Sequence, residues 1–281
     1  MAKDGYSGAM TSDIWNANDY LRYPAPRTQG VQDLLARVSH PKPRLIADIG
    51  CGPGNNTELI AERWPEALVI GVDSSADMVA TARERERPGQ LEFRQADLTD
   101  WQPDESFDIV FLNAVLQWIP DHAAQLPRLA TLLAPGGVLA IQMPGRGERG
   151  STSTDMMGIA RDLTRAPQWQ DKLGDVYIDE DLLEPVDYLT ALGDLGLRAE
   201  AWRTLYAFPL PGDDGRRVVE YAAGSVLRPA LAPLTSQESE QFLDEYAEHI
   251  NEAYPPRVIG GEIVEVLNQS RTFMIGQAEP A

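Results

Sequence analysis

From Leu45 to Met143 the chain alternates short apolar runs with longer stretches of helical periodicity. The apolar runs Leu45–Ile49, Leu68–Val72, Leu91–Phe93, Phe107–Leu112 and Val138–Met143 read as five buried strands, each four to eight residues or a little shorter. Between them, Asn55–Trp64 places Leu59, Ile60 and Trp64 on one side of a helix, and Ala76–Arg85 is helical with a charged face. A further helix is expected over Leu126–Leu133 with Pro127 in its first turn, and Asp121–Gln125 as a separate turn before it. Upstream, Val31, Leu34, Leu35 and Val38 recur at i, i+3, i+4, i+7, and His40-Pro41-Lys42-Pro43 stops that helix. Strand–helix alternation with continuous apolar strands predicts an α/β fold with a doubly wound, mostly parallel sheet.

Past Pro144 the pattern loosens. Gly145–Ser153 is a polar, glycine-rich loop, followed by weakly helical segments to Leu195. Glu200–Phe208 alternates as a sixth strand, Val218–Ala223 reads as helix, and Arg271–Gly276 as a last strand. Thr235-Ser236-Gln237-Glu238 is a capping box opening a helix that reaches Tyr254. The expected organisation is a covering segment at 1–30, a ligand-binding core at 31–144, and at 145–281 a lid or substrate lobe together with the strands that complete the sheet.

Composition narrows the class. The 281 residues are 43% hydrophobic and 24% charged, which suits one large globular unit. No stretch approaches the ~18 apolar residues of a membrane span, and the first residues, MAKDGYSGAMTSD, lack a signal peptide's apolar run. Forty-three acidic against 24 basic residues give a net charge of −19, a field that repels phosphate backbones, so no nucleic-acid partner is expected. With Cys51 as the single cysteine and His40, His122 and His249 scattered, neither a disulfide framework nor a metal site is expected, and the cytoplasm is the expected compartment.

The chemistry concentrates where strand one ends, at Ile46-Ala47-Asp48-Ile49-Gly50-Cys51-Gly52-Pro53-Gly54-Asn55. A strand running into G-x-G-x-G and then a helix turns sharply and lets a ligand approach the backbone. A dinucleotide fingerprint would need glycine where Asn55 stands, so the spacing favours a nucleoside lacking a pyrophosphate, such as S-adenosylmethionine, over NAD and a nucleotide-cofactor oxidoreductase. Asp73, closing strand two, can accept from both ribose hydroxyls or cap the next helix, where Ser74 and Ser75 compete for the cap. Asp97, after strand three, can accept from the adenine amine or be a surface loop acid. Asp48 can face the methionine ammonium or order the turn, and Cys51 reads as packing rather than as a nucleophile.

These residues resemble the class I methyltransferase superfamily and, more narrowly, bacterial trans-aconitate methyltransferases. The likeness runs through DIGCGPGNNTELIAERWP (48–65), VDSSADMVA (72–80), ADLTDWQP (96–103), NAVLQWIPDH (113–122) and LAPGGVLAIQMP (133–144), then Trp202-Arg203-Thr204, Leu227-Arg228-Pro229, AYPP (253–256) and Arg271-Thr272-Phe273. It implies a Rossmann-like seven-stranded methyltransferase sheet with an inserted helical substrate lobe. The implied cofactor is S-adenosylmethionine, held by Asp48, Gly50, Gly52, Gly54, Asp73, Ser74, Met78, Asp97, Leu98 and Asn113, with Arg27 and Gln29 folding over it. Asn113, Gln117 and Trp118 would flank the reacting groups, with Trp118 as a packing aromatic the alternative, and Trp15, Tyr20, Arg228 and Arg271 would hold the acceptor, with plain salt bridging the alternative for the arginines. His122 can serve as a base if the acceptor is a hydroxyl or carbon, or be a structural hydrogen-bonding residue. The implied reaction is methylation of a carboxylate of a small organic acid, by a monomer or weak homodimer, without metal.

Three stretches depart from the family pattern: Arg27-Thr28-Gln29-Gly30 lacks a second arginine and a proline, Gly145–Thr154 reads GRGERGSTST, and Tyr206-Ala207-Phe208 lacks a histidine. All three lie in or near the expected acceptor pocket. They keep open a specialised-metabolite methyltransferase with a neutral or phenolic acceptor, and a catalytically silent adenosylmethionine-binding regulator, which turnover would exclude, would also keep Asp48, Asp73 and Asp97 intact.

Overall fold

A computed structural model describes residues 24–145, 156–176, 178, 182–212 and 215–280. The first described helix, α1 (Pro24–Arg37), buries the expected stripe: Val31 and Leu34 are fully covered, Leu35 and Val38 nearly so. Alternation then follows as β1 (Leu45–Ile49), α2 (Asn55–Arg63), β2 (Leu68–Asp73), α3 (Ala76–Arg83), β3 (Leu91–Gln95) and β4 (Phe107–Asn113). Two short 3-10 turns, Leu116–Trp118 and His122–Gln125, precede α4 (Leu126–Thr131), which carries Pro127 in its first turn as expected. Next come β5 (Leu133–Pro144), α5 (Met156–Thr164), α6 (Gln170–Leu173), α7 (Pro185–Asp194) and β6 (Arg198–Pro211). The chain closes with α8 (Arg217–Ala223), α9 (Arg228–Leu231), α10 (Ser236–Ala253), β7 (Arg257–Ile259) and β8 (Glu262–Gln277).

The sheet runs in the order β3-β2-β1-β4-β5-β8-β6, with β7 paired to β8 as an eighth strand off that path. The first five strands are parallel, and β8 lies antiparallel between β5 and β6. Strand order reverses direction beside β1, between β2 and β4, which opens a crevice at the carboxyl ends of those strands.

Both faces of the sheet are covered. On one face α1, α2 and α3 pack Leu34, Ile60 and Val79 against Ile46, Phe111 and Ala140. On the other, α4 and α7 pack Leu129, Tyr188 and Leu192 against Val110, Ile141 and Met274. A third core joins α5, α6, α8, α9 and α10 to the far halves of β6 and β8 through Leu210 and Leu267. The capping box of α10 is formed: Thr235 Oγ1 accepts from Glu238 N, and the Glu238 carboxylate accepts from Thr235 N.

Two strands are longer than the residue pattern predicts. Expected over Arg271–Gly276, the last strand begins at Glu262, and the sixth extends to Pro211. Polarity does not report orientation there, because Glu265 and Gln269 are buried on β8 while Leu205 is 72% exposed on β6. The Pro135-Gly136-Gly137 turn falls inside β5, where the pairing register with β4 slips between Phe107 and Ile109.

Candidate active site

The site begins where β1 meets α2. Gly50, Gly52 and Gly54 have φ of 72°, 55° and 83°, in the left-handed region that L side chains avoid. A Cβ on Gly50 would lie 2.2 Å from a Val115 methyl carbon, and one on Gly54 would lie 2.7 Å from the Phe93 ring. By contrast, a Cβ on Gly52 would meet nothing within 4 Å. Two of the glycines thus let the protein pack on itself, and the middle one leaves open space where a ligand can lie along the turn. Cys51 is buried beside them, and burial together with the nearby Asp48 and Asp73 carboxylates raises its thiol pKa, so it packs rather than attacks.

Two acids fix this turn. Asp48 is 1% exposed, and its carboxylate accepts from Thr57 Oγ1 at 2.7 Å in α2. Burial, with a smaller contribution from Asp73 and against the Thr57 hydrogen bond, raises its pKa to about 7. Asp73 accepts from Gly52 N at 2.9 Å through one oxygen and from Ser75 N at 2.9 Å through the other. Its pKa is raised by burial, which those backbone donors oppose. Each carboxylate oxygen has two lone pairs, so the residue can brace the glycine turn and still accept from a ribose hydroxyl. Capping falls to neither Asp73 nor exposed Ser74, because Ser75 Oγ accepts from Met78 N at 3.3 Å.

Further along the crevice, Asp97 is exposed, and one of its oxygens accepts from both the backbone N and the hydroxyl of Thr99. This is a loop-closing role. Met78 and Leu98 are buried at 3% and 7%, and Leu98 packs on the second face with Ile70 and Val72.

At the end of β4 the backbone is forced. Ala114 has φ of 56°, and its N–H donates to the Gln142 carbonyl at 2.8 Å. Asn113 and Gln117, on either side of that bend, are 9% and 2% exposed. Asn113 Oδ1 and Gln117 Oε1 are buried acceptors without a partner among the described residues. Buried polar groups are nearly always satisfied, so such a pair at a strand end marks where a donor-rich or cationic group belongs. The amino-acid end of S-adenosylmethionine, an ammonium and a sulfonium, has that character, and with the open face of Gly52 the residues present fit it. Trp118 is half-buried in the 3-10 turn.

His122 does not fit the role of general base. It is 1% exposed, its Nε2 lies 2.7 Å from Tyr188 Oη, and that hydroxyl also meets Met143 Sδ and Leu183 N. The ring is built into the second face of the core, which is the structural alternative for this residue.

The rim beyond β5 joins α1 to the antiparallel strands. Gln29 Nε2 donates to Asp33 at 2.9 Å, and Tyr206 Oη donates to the other Asp33 oxygen. Burial and the Asp33 carboxylate raise the Tyr206 pKa, so the phenol stays a donor. Arg271 Nη2 donates to Gln269 Oε1 at 3.0 Å and to Tyr221 Oη at 3.4 Å, tying β8 to α8. Arg228 opens α9 in the lobe and is half-buried. Trp15, Tyr20, Arg146, Arg149 and the Arg27 side chain lie outside the described residues. Among the described residues, no three His, Cys, Asp or Glu side chains come together as a metal site.

Residue patterns did not single out Thr57 or Asp33, since a threonine or an acid on an amphipathic element carries no signal by itself, and Tyr206 drew notice only as part of a departure from the family pattern. Gln142 had one: a lone amide interrupts the apolar strand Val138–Met143.

A family model described as "Methyltransferase domain" matches residues 46–137. The fold is shared with the YcgJ protein of Bacillus subtilis at a TM-score of 0.60 and 14% identity, over 90% of this chain and 99% of that one. It is also shared with a SAM-dependent methyltransferase from Geobacter sulfurreducens, solved with S-adenosyl-L-homocysteine, at a TM-score of 0.54 and 18% identity, over 88% and 90%. In sequence the chain is 43% identical to a trans-aconitate 2-methyltransferase of Afipia carboxidovorans, over 88% of this chain and 93% of that one. It is 42% identical to one of Streptomyces avermitilis, over 86% and 90%. With that identity sustained across nearly the whole of both chains, the protein belongs to the trans-aconitate 2-methyltransferase family.

Proposed function

We propose that the protein transfers a methyl group from S-adenosylmethionine to a carboxylate oxygen of trans-aconitate or a closely similar polycarboxylate. The observation that carries this reading is the 43% identity to a named trans-aconitate 2-methyltransferase, which runs through the lobe as well as the cofactor core. Against the phenolic alternative, a phenol needs a base, and the histidine nearest in sequence to the β4 bend is engaged by Tyr188.

S-adenosylmethionine, when bound, supplies an electrophilic methyl group on a positively charged sulfur. The turn at Gly50, Gly52 and Gly54 would hold its amino-acid end, with Asp73 at the ribose, Asp97 at the adenine amine, and Met78 and Leu98 as apolar walls. Buried acceptors Asn113 Oδ1 and Gln117 Oε1 suit its cationic end. The acceptor needs no activation, since a carboxylate is already ionised at neutral pH. What remains for this chain's residues is to hold that oxygen in line and to exclude water, which can contribute ~7–11 kcal/mol. Arg271 would clamp the acid, a reading supported by its position on β8 between Gln269 and α8, at the seam of core and lobe. On this reading residues 1–30 cover the cofactor, 31–144 bind it, and 145–281 carry the acceptor lobe. The enzyme would act as a metal-independent cytoplasmic monomer or weak homodimer, with no nucleic-acid partner.

Labelled S-adenosylmethionine offered with trans-aconitate and, separately, with a phenol tests the reading. Label is expected in a base-labile ester of the acid only, at a rate unchanged by EDTA. Arg271→Ala is expected to lower kcat/KM for the acid roughly ten- to a hundredfold, the value of ~1.5–3 kcal/mol for a charged hydrogen bond. Label in the phenol alone would replace this function with the alternative.

A further inference from the structure

Gln142 has no part in the site as drawn so far, yet its setting is that of a ligand group. It lies in the buried stretch of β5, next to its last buried residue Met143, is 2% exposed, and its Nε2 is a buried donor without a partner among the described residues. In pairing register it stands beside Asn113 of β4 on one side and Phe273 of β8 on the other. Register partners on adjacent strands share a face of the sheet, so Asn113, Gln142 and Phe273 form a row beneath α1. Arg271 lies two residues from Phe273 and therefore on that same face, at a diagonal from Gln142 of about 7–8 Å between backbones.

Two constraints hold the amide where it is. The main-chain carbonyl of Gln142 accepts from Ala114 N across the forced bend. From above, α1 passes so close that a Cβ on Gly30 would come within 3.4 Å of Gln142 Oε1. The stacked rings of Phe273 and Trp202, 5.0 Å apart, fill the next positions in the row. An apolar residue would satisfy that packing better than a glutamine whose donor is unmet.

Around the bend, the unmet side-chain amide groups differ in character. On β4 and the turn after it they are acceptors, Asn113 Oδ1 and Gln117 Oε1, suited to the cationic methyl donor. On β5, one strand nearer Arg271, the unmet group is a donor, suited to an anion.

We propose that Gln142 is a specificity-determining residue whose side-chain amide donates to a second, non-reacting carboxylate of the acceptor. Gln142 and Arg271 then grip the acid at two points on one face of the sheet, and the site selects polycarboxylates over monocarboxylates. The inference rests on the carboxylate-methylating function proposed above.

The test uses the full-length protein with Gln142→Met, which keeps the volume and removes the donor, and Gln142→Glu, which keeps the shape and opposes an anion. Rates are measured with trans-aconitate and with crotonate, an unsaturated monocarboxylate, and S-adenosylhomocysteine binding is measured by calorimetry. Thermal melts set the temperature at which each variant is folded. For Gln142→Met the ratio of kcat/KM for trans-aconitate over crotonate is expected to fall at least tenfold, mostly through KM. Gln142→Glu is expected to fall further, while S-adenosylhomocysteine affinity stays within about twofold in both. A ratio unchanged in both variants, an equal loss on both acids, or a Gln142→Glu enzyme as selective as wild type overturns the proposal while leaving the function standing. A wild type that binds S-adenosylhomocysteine but methylates no carboxylate overturns the function and this proposal together.

Discussion

At the scale of single residues, the acids of the crevice do two jobs, and only one is visible from residue type. Asp48, Asp73 and Asp97 were expected on the strength of their places at strand ends, and each is found there. Their hydrogen bonds to Thr57, to Gly52 and Ser75, and to Thr99 depend on backbone positions that no residue pattern encodes. Asp48 has a measurable consequence. Folded, it keeps its proton up to about pH 7, whereas its ordinary value is 3.8. Between those limits unfolding releases a proton, so raising the pH favours the unfolded chain, and the cost is complete above about pH 7. Asp48→Asn keeps an acceptor for Thr57 and removes the ionisation. Relative to the wild type, the variant should gain stability between pH 5 and 7.5, on the order of 2–4 kcal/mol. Thermal melts across that range decide it, and parallel pH profiles for the two proteins would show that Asp48 does not titrate there.

Among the elements, the glycine turn was readable because its geometry demands a residue type. Three left-handed positions within five residues leave few alternatives to glycine. What the pattern could not distinguish is which glycine serves packing and which serves the ligand. Substitution separates them. In Gly50→Ala the new methyl adds a collision with Val115 to the backbone strain, and roughly 2–5 kcal/mol of stability should be lost. Gly52→Ala meets open space and bears the strain alone, about 1–2 kcal/mol. Its larger effect should be on S-adenosylhomocysteine affinity, because the methyl projects where the ligand would lie. Melting temperature and calorimetry on the two variants, taken together, check this; an affinity for Gly52→Ala equal to that of the wild type would place the ligand elsewhere. The long strands β6 and β8 were only half readable, since buried Glu265 and Gln269 break the alternation that betrays a strand.

Over the whole molecule, the parallel, doubly wound character of the first five strands followed from strand–helix alternation, while the place of β8 did not. Nothing local says that the last strand inserts between β5 and β6 rather than adding at the edge. Its insertion ties core and lobe into one sheet: seven residue pairs join β8 to β5, and fourteen join it to β6. The adenosylmethionine core therefore has no natural boundary at Pro144, even though the sequence changes character there. A fragment ending at Pro144 would keep every strand of the crevice and yet leave β5 unpaired along one side. That bare edge carries Leu139, Ala140, Ile141 and Met143, all fully buried in the complete chain. Such an apolar, unprotected edge is a template for pairing with another chain. Residues 24–144 alone are expected to elute from size exclusion as oligomers or aggregate at concentrations where the full chain does not, and a well-behaved monomeric fragment would refute this. By covering that edge, β8 acts as the molecule's safeguard against sticking to its own copies.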